Sequence, residues 1–316
     1  MYPLPALFPF FRTDVSVSTV MRPLLALLAA AIFAGGQAAS AASQQSTCTH
    51  DDPSKRVTVE AAEPAPGQPA FIVLTAEAGA IAMQEVDFAA SQLGPKQPCG
   101  AATTSNTDLV VVQGGGPEGV LFLADQSQGA FAPGFTAEPT GTSEIEFEFH
   151  PSGAIVFIGT GAPTVVRLGT AGANVNGDDD VDVSLFSTPA GFGFVGGPGD
   201  DNIAATGGFG TGDPSPREFV ANGGGGNDVL VAGRGRAFLE GFGGDDVVRG
   251  GPKRDVLTGG PGNDRVLGGA GRDRIEGMAG DDRLLGGRGK DRINGGPGRD
   301  RCVGGPGKDH VEKCER

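Results

Sequence analysis

Nine aspartates keep step with one another along the C-terminal third of the chain. Asp228, Asp246, Asp255, Asp264, Asp273, Asp282, Asp291, Asp300 and Asp309 are spaced by nine residues or twice nine. Each follows a glycine-rich run and stands two places before an apolar residue. A carboxylate is a hard oxygen donor. Regularly spaced carboxylates among turn carbonyls suit Ca²⁺, which takes about six to eight oxygens in irregular geometry. Catalytic patterns are missing by contrast. The three histidines, His50, His150 and His310, are scattered, and neither H-E-x-x-H nor G-x-S-x-G occurs. His150 reads as the surface end of a strand, and His310 as an outward position in the repeats.

The element that must position these aspartates runs from Gly223 to Glu312, ten nonapeptides without a gap. The pattern is G-G-x-G-x-D-x-U-x, where U is a large apolar residue. Position 1 is Gly except at Ala232, and position 6 is Asp except at Ala237. Position 8 is held by Leu230, Leu239, Val248, Leu257, Val266, Ile275, Leu284, Ile293, Cys302 and Val311. Phe242 and Met278 depart at position 2, and Lys253 at position 4. Six Gly-rich residues make a tight turn, because Gly reaches positive φ without a Cβ clash. The last three make a short strand whose middle side chain points inward. A flexible linker of the same composition would not keep an apolar residue at every ninth place.

These nonapeptides resemble the RTX family of calcium-binding repeats. The resemblance implies a parallel β-roll in which two nonapeptides make a coil of 18 residues and the ten repeats stack as five rungs. It implies Ca²⁺ between turns on the same edge, so that repeat n shares a site with repeat n+2. The implied pairs are Asp228 with Asp246, Asp246 with Asp264, Asp264 with Asp282, and Asp282 with Asp300. On the other edge they are Asp255 with Asp273, Asp273 with Asp291, and Asp291 with Asp309. Ala237 weakens the site it would share with Asp255. One further nonapeptide, Gly196–Ala204, fits the frame three repeats before Gly223 and adds Asp201 as a ligand. Between them, Thr206–Asn222 reads as two decayed coils with an insert near Pro214-Ser215-Pro216. Some RTX proteins are proteases or lipases that use the repeats as a folding aid, but the motifs of such catalytic domains are missing here.

At the other end, Arg22, an apolar run from Leu24 to Ala34 and small residues to Ser43 read as a signal peptide, with cleavage after Ala41 or Ala42. Residues 1–42 are therefore an N-terminal extension and signal, and translation is expected to start at Met21. The apolar run is too short to span a bilayer, so the expected location is secreted, extracellular or at the cell surface. In an exported chain the four cysteines imply two disulfides. Three pairings are open, of which Cys48–Cys99 and Cys302–Cys314 is favoured. Metal binding by cysteine is disfavoured, since no C-x-x-C occurs.

With 56 Gly, no Trp and 23 Pro, the fold class is all-β. Residues 43–107 read as a small β segment with strands at 57–60 and 71–74, and Ala76–Ala90 leaves room for a short helix. Residues 108–222 read as an irregular β-rich solenoid or sandwich-like domain capping the roll of 223–316. Its strands are expected at 109–112, 120–123, 145–149, 155–158 and 165–168. Asn176–Asp182 is a dense acid cluster without full EF-hand spacing or a closing Glu.

The chain carries a net charge of −14. Residues 1–222 hold 7 basic and 23 acidic residues, and residues 223–316 hold 17 and 15. Position 7 contributes Arg265, Arg274, Arg283, Arg292 and Arg301. Local pairing with acidic turns accounts for them most simply. The sharper reading is a docking face for an anionic cell-wall polymer or polysaccharide. Nucleic acid is excluded as a partner by the lack of interleaved aromatics. The expected function is a calcium-binding structural or surface-interaction protein and not an enzyme. A secreted hydrolase with its active site in residues 44–222 is the alternative, since carboxylate chemistry leaves little local signature.

Overall fold

A computed structural model describes residues 45–62, 70–77, 80–87, 92–93, 95–103, 107, 109–114, 120–125, 146–149, 153–158, 165–168, 172–174, 183–185, 191–207 and 213–315. The signal-peptide reading, His150 and the Asn176–Asp182 cluster lie outside these residues or largely so. The described residues contain strands and turns but no helix, hence none long and apolar enough to cross a membrane. The chain divides into two compact units. One takes in the residues up to Phe157 with Ser184–Pro189, the other Ile158–Val183 with Ala190–Arg316.

In the first unit the strands are β1 (Thr47–Asp51), β2 (Arg56–Ala61), β3 (Ala70–Glu77), β4 (Ala80–Asp87), β5 (Gln92–Leu93), β6 (Gln97–Thr103), β7 (Leu109–Gly114), β8 (Val120–Asp125), β9 (Glu146–Phe149) and β10 (Gly153–Ile158). β1 lies antiparallel on β2, and β2, β7 and β9 follow in parallel. On the other sheet β3 pairs in parallel with β8 and antiparallel with β4, which also carries β6. Consecutive strands β2 and β3 thus enter different sheets, and β7 and β8 repeat the move about fifty residues later, as in a solenoid with wide coils. The disulfide Cys48–Cys99 joins β1 to β6. Within Ala76–Ala90, where the alanine content leaves room for a helix, the described residues form the end of β3 and all of β4 instead. The reason is its period of two: Ile81 and Met83 are buried at 1% and 0% exposure while Ala80 faces out.

The second unit begins with β11 (Val165–Leu168), β12 (Gly172–Asn174), β13 (Val183–Leu185, shared with the first unit), β14 (Gly191–Val195) and β15 (Asn202–Ala204). It continues with β16 (Glu218–Gly225), β17 (Val229–Val231), β18 (Ala237–Gly243), β19 (Val247–Arg249), β20 (Val256–Pro261), β21 (Arg265–Gly271), β22 (Arg274–Ala279), β23 (Arg283–Gly289), β24 (Arg292–Asn294), β25 (Arg301–Val303) and β26 (His310–Glu312). Residues 219–312 form a parallel β-solenoid of about five turns. Even-numbered strands from β14 to β26 stack in one sheet, and odd-numbered strands from β15 to β25 in the other. Register advances 18 residues per rung: Leu230 sits on Val248, Val248 on Val266, Leu257 on Ile275.

In β17 and from β19 to β24 one apolar side chain per strand fills the space between the sheets, whereas β18 buries Ala237, Phe238 and Leu239. Val311 of the last strand, expected inward, is exposed because no further rung covers it. Leu230, Val248, Leu257, Val266 and Ile275 are all fully buried. Turns close tightly because position 4 is left-handed, with φ of +110° at Gly226 and +130° at Gly244. Cys302 and Cys314 are bonded across the final coil.

The rung before Gly223 departs from the expected pair of decayed coils. Asn202 pairs with Val229, a step of 27, while Phe219 pairs with Ala237, a step of 18. Residues 214–222 are therefore one degenerate nonapeptide with Ala221 inward, and the register leaves an insertion before it that starts at Ala205 and whose residues 208–212 lie outside the described ones. Pro214 and Ser215 lie within the repeat, not in the insert. The Ser215 N–H donates to the Ala205 carbonyl (3.0 Å), which closes the insertion at its base.

Candidate metal centre

Each turn carries its aspartate into the space between rungs, because position 6 is the last turn residue before an inward-facing strand. Asp201, Asp228, Asp246, Asp255, Asp264, Asp273, Asp282, Asp291 and Asp300 are all buried, none more than 2% exposed. Asp309, in the last coil, is half-buried. One oxygen of each carboxylate has a structural partner one rung back. Asp228 N–H donates to Asp246 Oδ1 (2.7 Å), Asp246 N–H to Asp264 Oδ1 (2.8 Å), and Asp264 N–H to Asp282 Oδ1 (2.8 Å). On the opposite edge Asp255 N–H donates to Asp273 Oδ1 and Asp273 N–H to Asp291 Oδ1, both at 2.9 Å. Asp201 joins the first series through its N–H to Asp228 Oδ1 (2.7 Å).

The second oxygen is different. Oδ2 of Asp228, Asp246, Asp264, Asp273, Asp282, Asp291 and Asp300 is buried with no hydrogen-bond partner. A buried, unpartnered carboxylate oxygen is among the most costly groups a protein can hold. The cost shows in the proton affinities. Burial, followed by neighbouring carboxylates, raises Asp246 to about 8, Asp228, Asp264 and Asp273 to about 7, and Asp282 to about 6. Asp255 and Asp291 are raised for the same first reason. The neighbours that raise these values include those expected from the repeat: Asp228 and Asp264 act on Asp246, Asp255 and Asp291 on Asp273, Asp300 on Asp282, and Asp309 on Asp291.

Position 1 is Gly because these oxygens occupy the place of its Cβ. A Cβ on Gly241 would overlap the Asp246 carboxylate and lie 2.7 Å from the Gly259 carbonyl oxygen; at Gly223 it would meet Asp228 and the Gly241 carbonyl in the same way. Carboxylate Oδ2 and the glycine carbonyl one coil on thus converge on one spot. Among the described residues no cluster gathers three or more His, Cys, Asp or Glu side chains. An ion held between coils would draw on two carboxylates and complete its shell with turn carbonyls, a donor set that fits Ca²⁺. We expect Gly241→Ala to cost about 2–3 kcal/mol by overpacking in denaturant unfolding with calcium present. Ala232→Gly should cost only about 0.5–1 kcal/mol, through chain entropy.

Ala232 and Ala237 sit in the same repeat, so position 1 gains its methyl only where position 6 has lost its carboxylate. Both are buried. Asp255, the partner that Ala237 leaves alone, has both oxygens occupied: Oδ1 accepts from Ala237 N–H (2.8 Å) and Oδ2 from Gly251 N–H (2.7 Å). Asp255 thus leaves no oxygen unpartnered toward this space. The sequence showed the missing acid but not its compensation.

Residues 220–239, 240–275 and 276–311 match the family of RTX calcium-binding nonapeptide repeats. Residues 220–311 are RTX repeats. No curated protein and no solved structure matches the chain. The RTX match begins after Asp201, whose coil stacks on the RTX segment through β15 and β17.

The position-7 arginines of the RTX segment do not share one surface, contrary to the single docking face expected of them. Arg265, Arg283 and Arg301 stack on one sheet, while Arg274 and Arg292 stack on the other. Arg274 is also committed, its Nε donating to Glu276 Oε1 (2.7 Å). His310 lies 3.8 Å from Glu312 on the exposed last strand, and His50 lies on β1 opposite Val57.

Proposed function

We propose that this is a secreted calcium-binding protein whose RTX roll folds on meeting extracellular calcium, in a structural or surface-interaction role. The observation that carries this reading is the row of unpartnered Asp Oδ2 atoms between coils. Calcium bound there supplies the positive charge that the buried carboxylates lack. The chain's own residues do the rest: position-1 glycines open the space, Oδ1 fixes each carboxylate to the rung before it, and position-8 side chains exclude water. At low free calcium the carboxylates repel one another and hold the coils apart; at the millimolar levels typical of extracellular modules they are bridged. Asp201 and the nine RTX aspartates are the proposed ligands; Asp201 and Asp255, whose Oδ2 atoms accept from Gly197 N–H (3.0 Å) and Gly251 N–H (2.7 Å), must exchange those bonds for the ion. Non-enzymatic surface binding, with an anionic polymer as partner, is the reading we favour.

The test is far-UV circular dichroism of the full chain through a calcium titration, with magnesium as control. Strand signal should grow cooperatively with calcium and stay flat with magnesium, which prefers near-ideal octahedral sites. A spectrum indifferent to calcium would remove the proposal.

A further inference from the structure

The two turn edges of the roll differ at position 5, the residue just before each aspartate. On the edge formed by odd repeats, position 5 is Asn227, Asp245, Asn263, Asp281 and Arg299. On the edge formed by even repeats it is Arg236, Arg254, Arg272, Lys290 and Lys308. The first set has a structural task. Asp245 N–H donates to Asn227 Oδ1 (2.8 Å), Asn263 N–H to Asp245 Oδ1 (2.8 Å), and Asp281 N–H to Asn263 Oδ1 (3.0 Å). This ladder satisfies the turn amides one after another. Arg and Lys have no acceptor atom and cannot build it. Fold stability therefore does not account for the basic residues in the four even turns from Gly250 onward; in the first even turn Arg236 lies over the Phe238 ring, 4.3 Å from its centroid, and acts on Asp255.

Nor do local acids account for them. Arg254, Arg272, Lys290 and Lys308 are exposed, and among the described residues none is in an ion pair. The even turns also carry Arg234, Lys253 and Arg288, which makes eight cations there against Arg299 alone in the odd turns. The four acids of the even turns are the buried aspartates Asp255, Asp273 and Asp291 and the half-buried Asp309. One rung separates successive position-5 cations, about 4.8 Å. The result is a straight row of positive charge parallel to the stacking direction, with a row of Asp and Asn on the far edge.

We propose that this even-turn edge is the docking surface for an extended anionic polysaccharide of the uronate type, lying along the stack. The proposal rests on the surface-interaction reading above and relocates it from the position-7 arginines. A uronate chain carries one carboxylate per sugar, at a repeat close to one rung, so the two lines of charge run at matching density. From Gly250 onward the even turns have no aromatic side chain on which bases could stack, as single-stranded nucleic acid requires. They also have no large exposed apolar residue to enter a lipid surface. What remains is a solvated, linear partner held by charge.

The experiment uses the full chain in calcium, with its fold verified by circular dichroism, and short oligogalacturonate as the probe. In the triple variant Arg254→Gln, Arg272→Gln, Lys290→Gln, affinity should fall at least tenfold. The slope of log Kd against log salt should shrink by about two to three, as expected when three counterion-releasing contacts are lost. The control Arg265→Gln, Arg283→Gln, Arg301→Gln should change affinity less than threefold, and both variants should keep the wild-type melting temperature. Unchanged binding by the first variant, or equal loss by the control, overturns the placement. Duplex DNA or phosphatidylglycerol vesicles binding more tightly than the uronate through the same cations overturns the polymer class. A roll that stays folded without calcium at pH 8 defeats the calcium reading while leaving this edge testable.

Discussion

Stripped of calcium, the protein should keep its coils at pH 5 and lose them at pH 8. Five inter-coil aspartates have folded-state values raised to between about 6 and about 8, against an ordinary value of 3.8. Glu240 is raised to about 8 by burial and by Glu276, and its Oε2 has no partner. Across this window the folded chain binds more protons than the unfolded chain. Stability therefore falls as pH rises, with the slope set by the difference in bound protons. Below about pH 4 both states are protonated and the slope vanishes; above about 8 both are ionised and the full cost is present. Calcium reverses the balance by favouring the ionised form, so its binding should release protons, and its stabilising effect should be largest at alkaline pH. Melting temperatures of dialysed, metal-free protein from pH 5 to pH 8, with and without added calcium, check both statements. A metal-free melting temperature that rises with pH would show that the carboxylates are not the controlling groups.

Asp246→Asn should lower stability in calcium and raise it without calcium. Asn keeps an Oδ1 acceptor for the Asp228 N–H but carries no charge. In calcium the substitution weakens two neighbouring spaces, those shared with Asp228 and with Asp264. At free calcium about ten times Kd each site contributes about 1.4 kcal/mol, so the loss is about 3 kcal/mol. Without calcium at pH 8 the same change removes a buried, unpartnered charge from the carboxylate raised highest of the row. Asp246→Ala behaves differently: it also orphans the Asp228 N–H, which costs about 1–3 kcal/mol whether or not calcium is present. Denaturant melts of the three proteins in calcium and in chelator give the signs. Equal destabilisation by Asn in both conditions would mean that Asp246 is only a hydrogen-bond acceptor.

The roll was legible because its two periods reinforce each other: an apolar side chain at position 8 and an acid at position 6 leave one register for the stack. Leu257 and Asp264 were placed from spacing alone, and both are buried where the spacing puts them. Relations between sheets were less visible. Arg265 and Arg274 are nine residues apart and look alike in sequence, yet nine is half a coil, so they stand on opposite sheets. Residues 205–213 keep the frame of nine, so an insertion passes for decayed repeats until Asn202 is found beside Val229. In the first unit no period ties β2 to β7, and the parallel pairing of Val57 with Val110 depends on contacts fifty residues apart. Alanine-rich β4 shows the other weakness, since small side chains hide an alternation that only Ile81 and Met83 mark.

The coil closed by Ala232 and Ala237 has a bearing on how the stack is assembled. Phe194, Phe219 and Phe238 are buried in the rungs at and just before it, whereas from β19 to β24 each strand contributes a single aliphatic inward. The N-terminal rungs therefore hold more oily contact than the later ones, although Asp228 keeps an unpartnered Oδ2 even there. Under the calcium proposal such a gradient gives growth a direction: the rungs least dependent on ions form a seed at one end for the layers that depend on them most. A chain emerging N-terminus first delivers that seed ahead of the layers that must wait.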